Sequence, residues 1–82
     1  MSLQQEIKSF ILQNFLFTTD QTALGNSDSL MNKGVVDSTG ILELIMHLEE
    51  QYGVKVEDDE MLPANLDSVE AIASFVTRKR AA

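Results

Sequence analysis

Apolar residues recur at helical spacing in three separate segments, and that periodicity narrows the fold more than any other feature of the chain. Leu3, Ile7, Phe10, Ile11 and Phe15 form the first set, and Ile41, Leu44, Ile45, Leu48 and Tyr52 the second. The third is Val69, Ile72, Ala73 and Val76, with Phe75 alongside. At about 100° per residue each set falls on one face, as a helix packed against a shared core requires. End signals agree with the periods. Ser2 and Gln5 have capping-box spacing and predict a first helix from Ser2 to about Phe15. The second is predicted from about Ser38 to Tyr52, where Gly53 supplies the stop. Asp67 and Glu70 repeat the capping-box spacing and predict a last helix starting at Asp67. Its closing Arg78-Lys79-Arg80 suits the negative end of the helix dipole.

Between these segments the pattern weakens. Leu16 to Asp37 is rich in Thr, Asp, Asn, Ser and Gly, and about 20 residues is long for a loop in a compact domain. A functional loop or a short extra element is expected there, with Leu24, Leu30, Met31, Val35 and Val36 pinning it to the core. Val54-Lys55-Val56 reads as an extended connector too brief for a sheet. Residues 57–66 read as one short helical turn interrupted by Pro63. The expected fold is all-α, a single domain over residues 1–82. It is a small four-helix bundle of three main helices and one short one, with a long loop between helices one and two.

Composition excludes several functions. With no cysteine in 82 residues there is no disulfide framework, no cysteine-based zinc site and no thiol nucleophile, so any sulfur chemistry must come from an added group. A formal net charge of -7 argues against nucleic acid and against basic residues holding the chain on anionic lipid. No apolar run approaches the roughly 18–20 residues that span a bilayer, and the first residues lack the pattern of a secretory signal. A cytoplasmic monomer is expected.

The outer side of the second helix is more informative than its core stripe. Thr39, Glu43, Met46 and Glu50 cluster there, with Leu42 and Glu49 at the margin. This is either a solvated helix side or a docking surface for a basic partner, with Leu42 and Met46 as apolar contacts. Three Asp-Ser pairs occur, at Asp28-Ser29, Asp37-Ser38 and Asp67-Ser68. The first lies in the long loop, where both residues are common turn formers. In the third, Asp67 reads as a helix cap and Ser68 as a first-turn residue. Only Ser38 stands at the start of the helix with the acidic side. It is either a plain helix-start residue or a point where a phosphate would meet free backbone N–H groups and the positive dipole end.

Ser38 is not a self-sufficient nucleophile. The single histidine, His47, is nine residues on, half a rotation round and roughly 13.5 Å along the same helix, so no serine–histidine pair forms. His47 reads as a surface residue, and an independent enzyme is not expected. Glu57, Asp58, Asp59 and Glu60 are consecutive acids without the alternating ligands and central glycine of a calcium loop, so a solvated turn is expected and no metal site.

Residues 34–45, Gly-Val-Val-Asp-Ser-Thr-Gly-Ile-Leu-Glu-Leu-Ile, resemble the acyl carrier protein family, whose attachment motif sets an Asp-Ser pair before an apolar and acidic helix. Residues 48–56 resemble that family's helix end and following loop, and residues 67–72 the start of its last helix. The resemblance implies that a phosphopantetheinyl transferase esterifies Ser38 with the phosphopantetheine arm of coenzyme A, with Asp37 helping the enzyme recognise the site. The arm's thiol would hold an acyl or aminoacyl group as a thioester, supplying the sulfur that the chain lacks. Implied partners are that transferase, an acyl- or aminoacyl-loading ligase, and downstream transferases or synthases. The partner-facing positions would be Thr39, Leu42, Glu43, Met46, Glu49 and Glu50. General fatty-acid carriers commonly have Leu and then an acidic residue after the serine, whereas this chain has Thr39-Gly40, a form more like stand-alone carriers of specialised pathways. Gly40 would then either allow close approach of an enzyme or of the arm, or simply be a glycine that a helix start tolerates. The alternative is an acidic helical interaction module without a prosthetic group.

The charge is also local. Residues 37–60 contain eight acids and one base, and the rest of the chain balances five against five.

Overall fold

A computed structural model describes residues 2–81, with the side chains of Ser38 and Ala81 outside the described part. Four α-helices run α1 (Leu3–Ile11), α2 (Ser38–Tyr52), α3 (Pro63–Leu66) and α4 (Val69–Ala81). α1 and α3 pack on α4, and α2 closes the bundle against it. This is the expected all-α bundle, with no strand among the described residues. The core is apolar throughout: Ile7, Ile11 and Leu12 meet Leu44, Ile45 and Leu48 of α2 and Val69, Ile72, Phe75 and Val76 of α4.

α1 starts as its cap predicts, with Ser2 Oγ accepting from the Gln5 amide at 3.1 Å. It does not continue as an α-helix to Phe15. From Leu12 to Leu16 the chain widens into a π-helical turn that ends at Phe17 in the left-handed region (φ 56°, ψ 41°). The wider turn brings the Phe15 ring edge-on to Phe10, with centroids 6.1 Å apart. A straight α-helix would hold this i, i+5 pair about 140° apart.

The long loop contains one 3-10 turn, Gln21–Ala23, capped by the Asp20 carboxylate on the Thr22 amide at 2.9 Å. Asp28 accepts from the Gly25 amide at 2.7 Å and pairs with Lys33 at 3.2 Å, and both hold its pKa below the ordinary carboxylate value. Leu24, Leu30 and Val36 are buried and Val35 is half-buried, as expected, but Met31 is exposed.

α2 occupies its predicted span. Asp37 is the N-cap, and Gly53 closes the helix at φ 66°, donating its N–H to the Glu49 carbonyl at 3.1 Å. Beyond it, Val54 and Val56 are buried without forming a strand. Two short elements follow, a 3-10 turn at Asp58–Glu60 and α3, and Pro63 begins α3 instead of interrupting a turn. Proline suits a first helical position because its missing N–H would have no intrahelical acceptor there.

Asp67 does not cap the last helix. Ser68 does, its hydroxyl accepting from the Ala71 amide at 3.0 Å, and the Glu70 amide donates instead to the Asn26 carbonyl at 2.9 Å. The Asp67 carboxylate serves the long loop, accepting from the Ser29 hydroxyl and, at 3.0 Å, from the Met31 amide. Its carbonyl accepts from the Leu30 amide at 2.7 Å. At the far end of α4, Lys79 reaches Glu60 at 2.8 Å, Arg78 donates to Asn65 at 3.0 Å, and Arg80 lies over the Tyr52 ring.

Candidate functional site

The start of α2 is fixed by the residues around Ser38. Asp37 is extended (φ −104°, ψ −171°), and its carboxylate accepts from the Gly40 amide at 2.7 Å while its carbonyl accepts from the Ile41 amide at 2.9 Å. Ser38 is the first helical residue. Helix geometry leaves the first backbone N–H groups without intrahelical acceptors, where they and the dipole favour an anion. On either side of Ser38 burial alternates: Val36 and Gly40 are buried, Asp37 and Thr39 exposed. The side chain of Ser38 itself, the expected attachment point, lies outside the described part.

Gly40 has an internal neighbour. A Cβ there would lie 3.0 Å from Phe15 Cε1, 3.2 Å from Asp37 Oδ1 and 3.2 Å from Val36 Cγ1, all tighter than ordinary contact. The space that a side chain at 40 would take, expected to admit an enzyme or the arm, is bordered by the chain's own Phe15.

Along the outer side of α2, Thr39, Leu42, Glu43, Met46 and Glu50 are exposed, with Leu42 and Met46 more than half accessible. Glu49 is set apart from them. It is half-buried, and its Oε2 accepts from the Val56 amide at 3.0 Å, tying α2 to the following loop. His47 is not a plain surface residue, because its ring is stacked on Phe10 and half-buried. Nothing in that position makes it a base for Ser38.

One turn from Ser38 an apolar cleft of about 310 Å³ opens between α2, the long loop and α3, lined by Ile41, Leu42, Met31, Met61, Leu62, Pro63, Leu66 and Asp67. Its position depends on loop packing: Met31, expected in the core, lines the cleft instead, and Met61 and Leu62 did not stand out in the sequence. Among the described residues no three metal-ligating side chains converge, and no helix is long and apolar enough to cross a membrane.

A serine-linked phosphopantetheine fits this end of the molecule. Ser38, the expected anchor, is the first residue of a capped helix, where a phosphate would adjoin the positive dipole end, and an apolar cleft lies one turn along the same helix. Residues 16–76 match the family described as the phosphopantetheine attachment site. An acyl carrier protein of Lactobacillus acidophilus is 33% identical over 55 residues, covering 67% of this chain and 66% of that one. The solution NMR structure of a holo acyl carrier protein from Nitrosomonas europaea matches over 100% of both chains, with a TM-score of 0.78 and 25% identity.

Proposed function

Because the chain belongs to the acyl carrier protein family, we propose that Ser38 is the residue that carries its covalent phosphopantetheine and that the helix behind it is the docking element for the enzymes that act on the cargo. When bound, the prosthetic group supplies a thiol that holds an acyl or aminoacyl group as a thioester. The observation that carries the reading is local: Asp37 and Ser38 are the cap and first residue of an α2 whose outer side combines carboxylates with exposed Leu42 and Met46.

The chain's own residues bind and orient; they do not activate the serine. Asp37 fixes the first turn through the Gly40 amide, the backbone N–H groups favour the phosphate, and Thr39, Leu42, Glu43, Met46 and Glu50 face solvent where a basic partner can reach them. Glu49 belongs to this surface through its free oxygen only, since the other accepts from Val56. A phosphopantetheinyl transferase, a loading ligase and downstream transferases or synthases are the partners of this reading. Thr39-Gly40 after the serine supports a specialised pathway loaded by an adenylate-forming ligase.

Incubation with coenzyme A and a broad-specificity transferase tests the assignment. One added phosphopantetheine mass is expected on the wild-type chain and none on Ser38→Ala. An unchanged wild-type mass, with an active transferase control, overturns it.

A further inference from the structure

The glycine at position 40 is costly for a helix, since alanine is the better helix former. Yet it lies in the turn that carries the attachment serine, buried and with negative φ, so left-handed backbone is not its purpose. Its neighbours explain it. Phe15 comes from the π-helical turn at the end of α1, a segment more than twenty residues earlier, and its ring edge rests where a side chain at 40 would be. The same space is bordered by Asp37 Oδ1, the atom that accepts from the Gly40 amide. Two features thus converge on one residue: the ring edge bordering the space where its side chain would begin, and the capping carboxylate on its N–H. An added methyl group would strain both together.

Resting on the reading of Ser38 as the attachment residue, we propose that Phe15 and Gly40 are a positioning pair that holds the first turn of α2 in register for phosphopantetheine transfer. Neither residue touches the reacting atoms. Each acts through Asp37 and the backbone of residues 38–40. The π turn belongs to the same device, because it is the widened turn that sets Phe15 against α2. Leu42, Glu43, Met46 and Glu50 lie further along the helix, so the pair should govern the rate of transfer within the docked complex more than docking itself.

Steady-state transfer from coenzyme A by a broad-specificity transferase, followed by intact mass on the full chain, separates these effects. Gly40→Ala should lower kcat about tenfold with KM unchanged, as expected when a reacting group is held slightly out of place. Phe15→Leu removes the Cε1 atom that a methyl at 40 would meet, so the double variant Gly40→Ala/Phe15→Leu should be about threefold faster than Gly40→Ala, reaching the kcat of Phe15→Leu alone. A Gly40→Ala chain with wild-type kcat, a change confined to KM, or a double variant no faster than Gly40→Ala overturns the proposal. If circular dichroism shows Gly40→Ala unfolded, Phe15→Leu alone decides. It unseats the ring edge without adding an atom, and it should lower kcat about threefold at constant KM; an unchanged kcat overturns the pair. A wild-type chain that accepts no phosphopantetheine overturns the Ser38 reading and this one with it, whereas normal modification with an indifferent Gly40→Ala overturns the pair alone.

Discussion

His47 lies flat against Phe10, with ring centroids 3.6 Å apart and planes 9° from parallel, so α2 is joined to α1 by a stacked pair at the margin of its acidic face, within a turn of Glu43 and Glu50. Tyr52 meets the imidazole edge-on at 6.2 Å and donates its hydroxyl to Glu6 at 3.3 Å. Burial in this seam holds the imidazole below its ordinary value of 6.5, against a smaller upward pull from the Glu50 carboxylate. Glu6 and Arg80 also reach the seam, both through Tyr52, and Glu43 lies one turn before His47 on α2.

The folded chain therefore binds the His47 proton less readily than the unfolded chain, and the sign follows. Stability is full above pH 6.5 and is lost as pH falls from there toward the lower folded value. The urea midpoint of the wild-type chain should drop between about pH 7.5 and about pH 5.5, and His47→Gln should show a smaller drop. A His47 ring that titrates at or above 6.5 by NMR would contradict this ordering.

Asp67 and Ser68 have separable jobs. Asp67→Ala leaves the Met31 amide and the Ser29 hydroxyl without their acceptor and should cost about 1–3 kcal/mol. Ser68→Ala removes a helix cap and should cost about 1 kcal/mol. Thermal melts of the two variants check the order: about 4–8 °C per kcal/mol is expected for a domain of this size. A Ser68→Ala loss equal to or larger than that of Asp67→Ala would remove Asp67 from its role as the loop's clamp.

The same pair shows what a sequence can and cannot display. The end of α2 was legible because its signal is local, Gly53 adopting a backbone conformation that favours glycine. Its start at Ser38 was legible too, but Asp37 stood out only as part of the Asp-Ser pair and proves to be the cap on the amide three residues on. Asp67 and Ser68 are both good caps, and the choice between them is made by Ser29 and Met31, more than thirty residues earlier. The π turn was hidden for a similar reason, since Phe15 has helical spacing and its place beside Gly40 is set across the bundle. At the site, the exposure of Leu42 and Met46 followed from the period of the helix. The tether of Glu49 to Val56 could not, because it depends on where the chain goes after Gly53.

Phe17 is 84% exposed and is the one described non-glycine residue with positive φ. Left-handed backbone costs an ordinary L-residue roughly 1–2 kcal/mol, and asparagine tolerates it better. Phe17→Asn should therefore raise stability by about 0.5–1 kcal/mol, with a corresponding rise in melting temperature. A lower melting temperature would show that the ring makes a stabilising contact that its exposure conceals.

Glu49 and Glu50 are adjacent acids that should behave differently. Glu49→Ala removes the acceptor of the Val56 amide and should lower stability by about 1 kcal/mol with little effect on KM for a phosphopantetheinyl transferase. Glu50 is exposed and bonds to nothing among the described residues, so Glu50→Ala should leave stability within about 0.5 kcal/mol and raise KM. Because exposed charges are screened, that rise should be largest at low ionic strength and should shrink as salt is added. Added salt should also firm the isolated fold, since eight of the thirteen acids lie in residues 37–60 against Lys55 alone within that stretch. Lys79 relieves only Glu60, pulling its pKa below the ordinary carboxylate value. Urea unfolding and transfer kinetics across a salt series check both halves: a Glu49→Ala chain that raises KM as much as Glu50→Ala, or a Glu50→Ala chain that is destabilised, would reverse the division of labour.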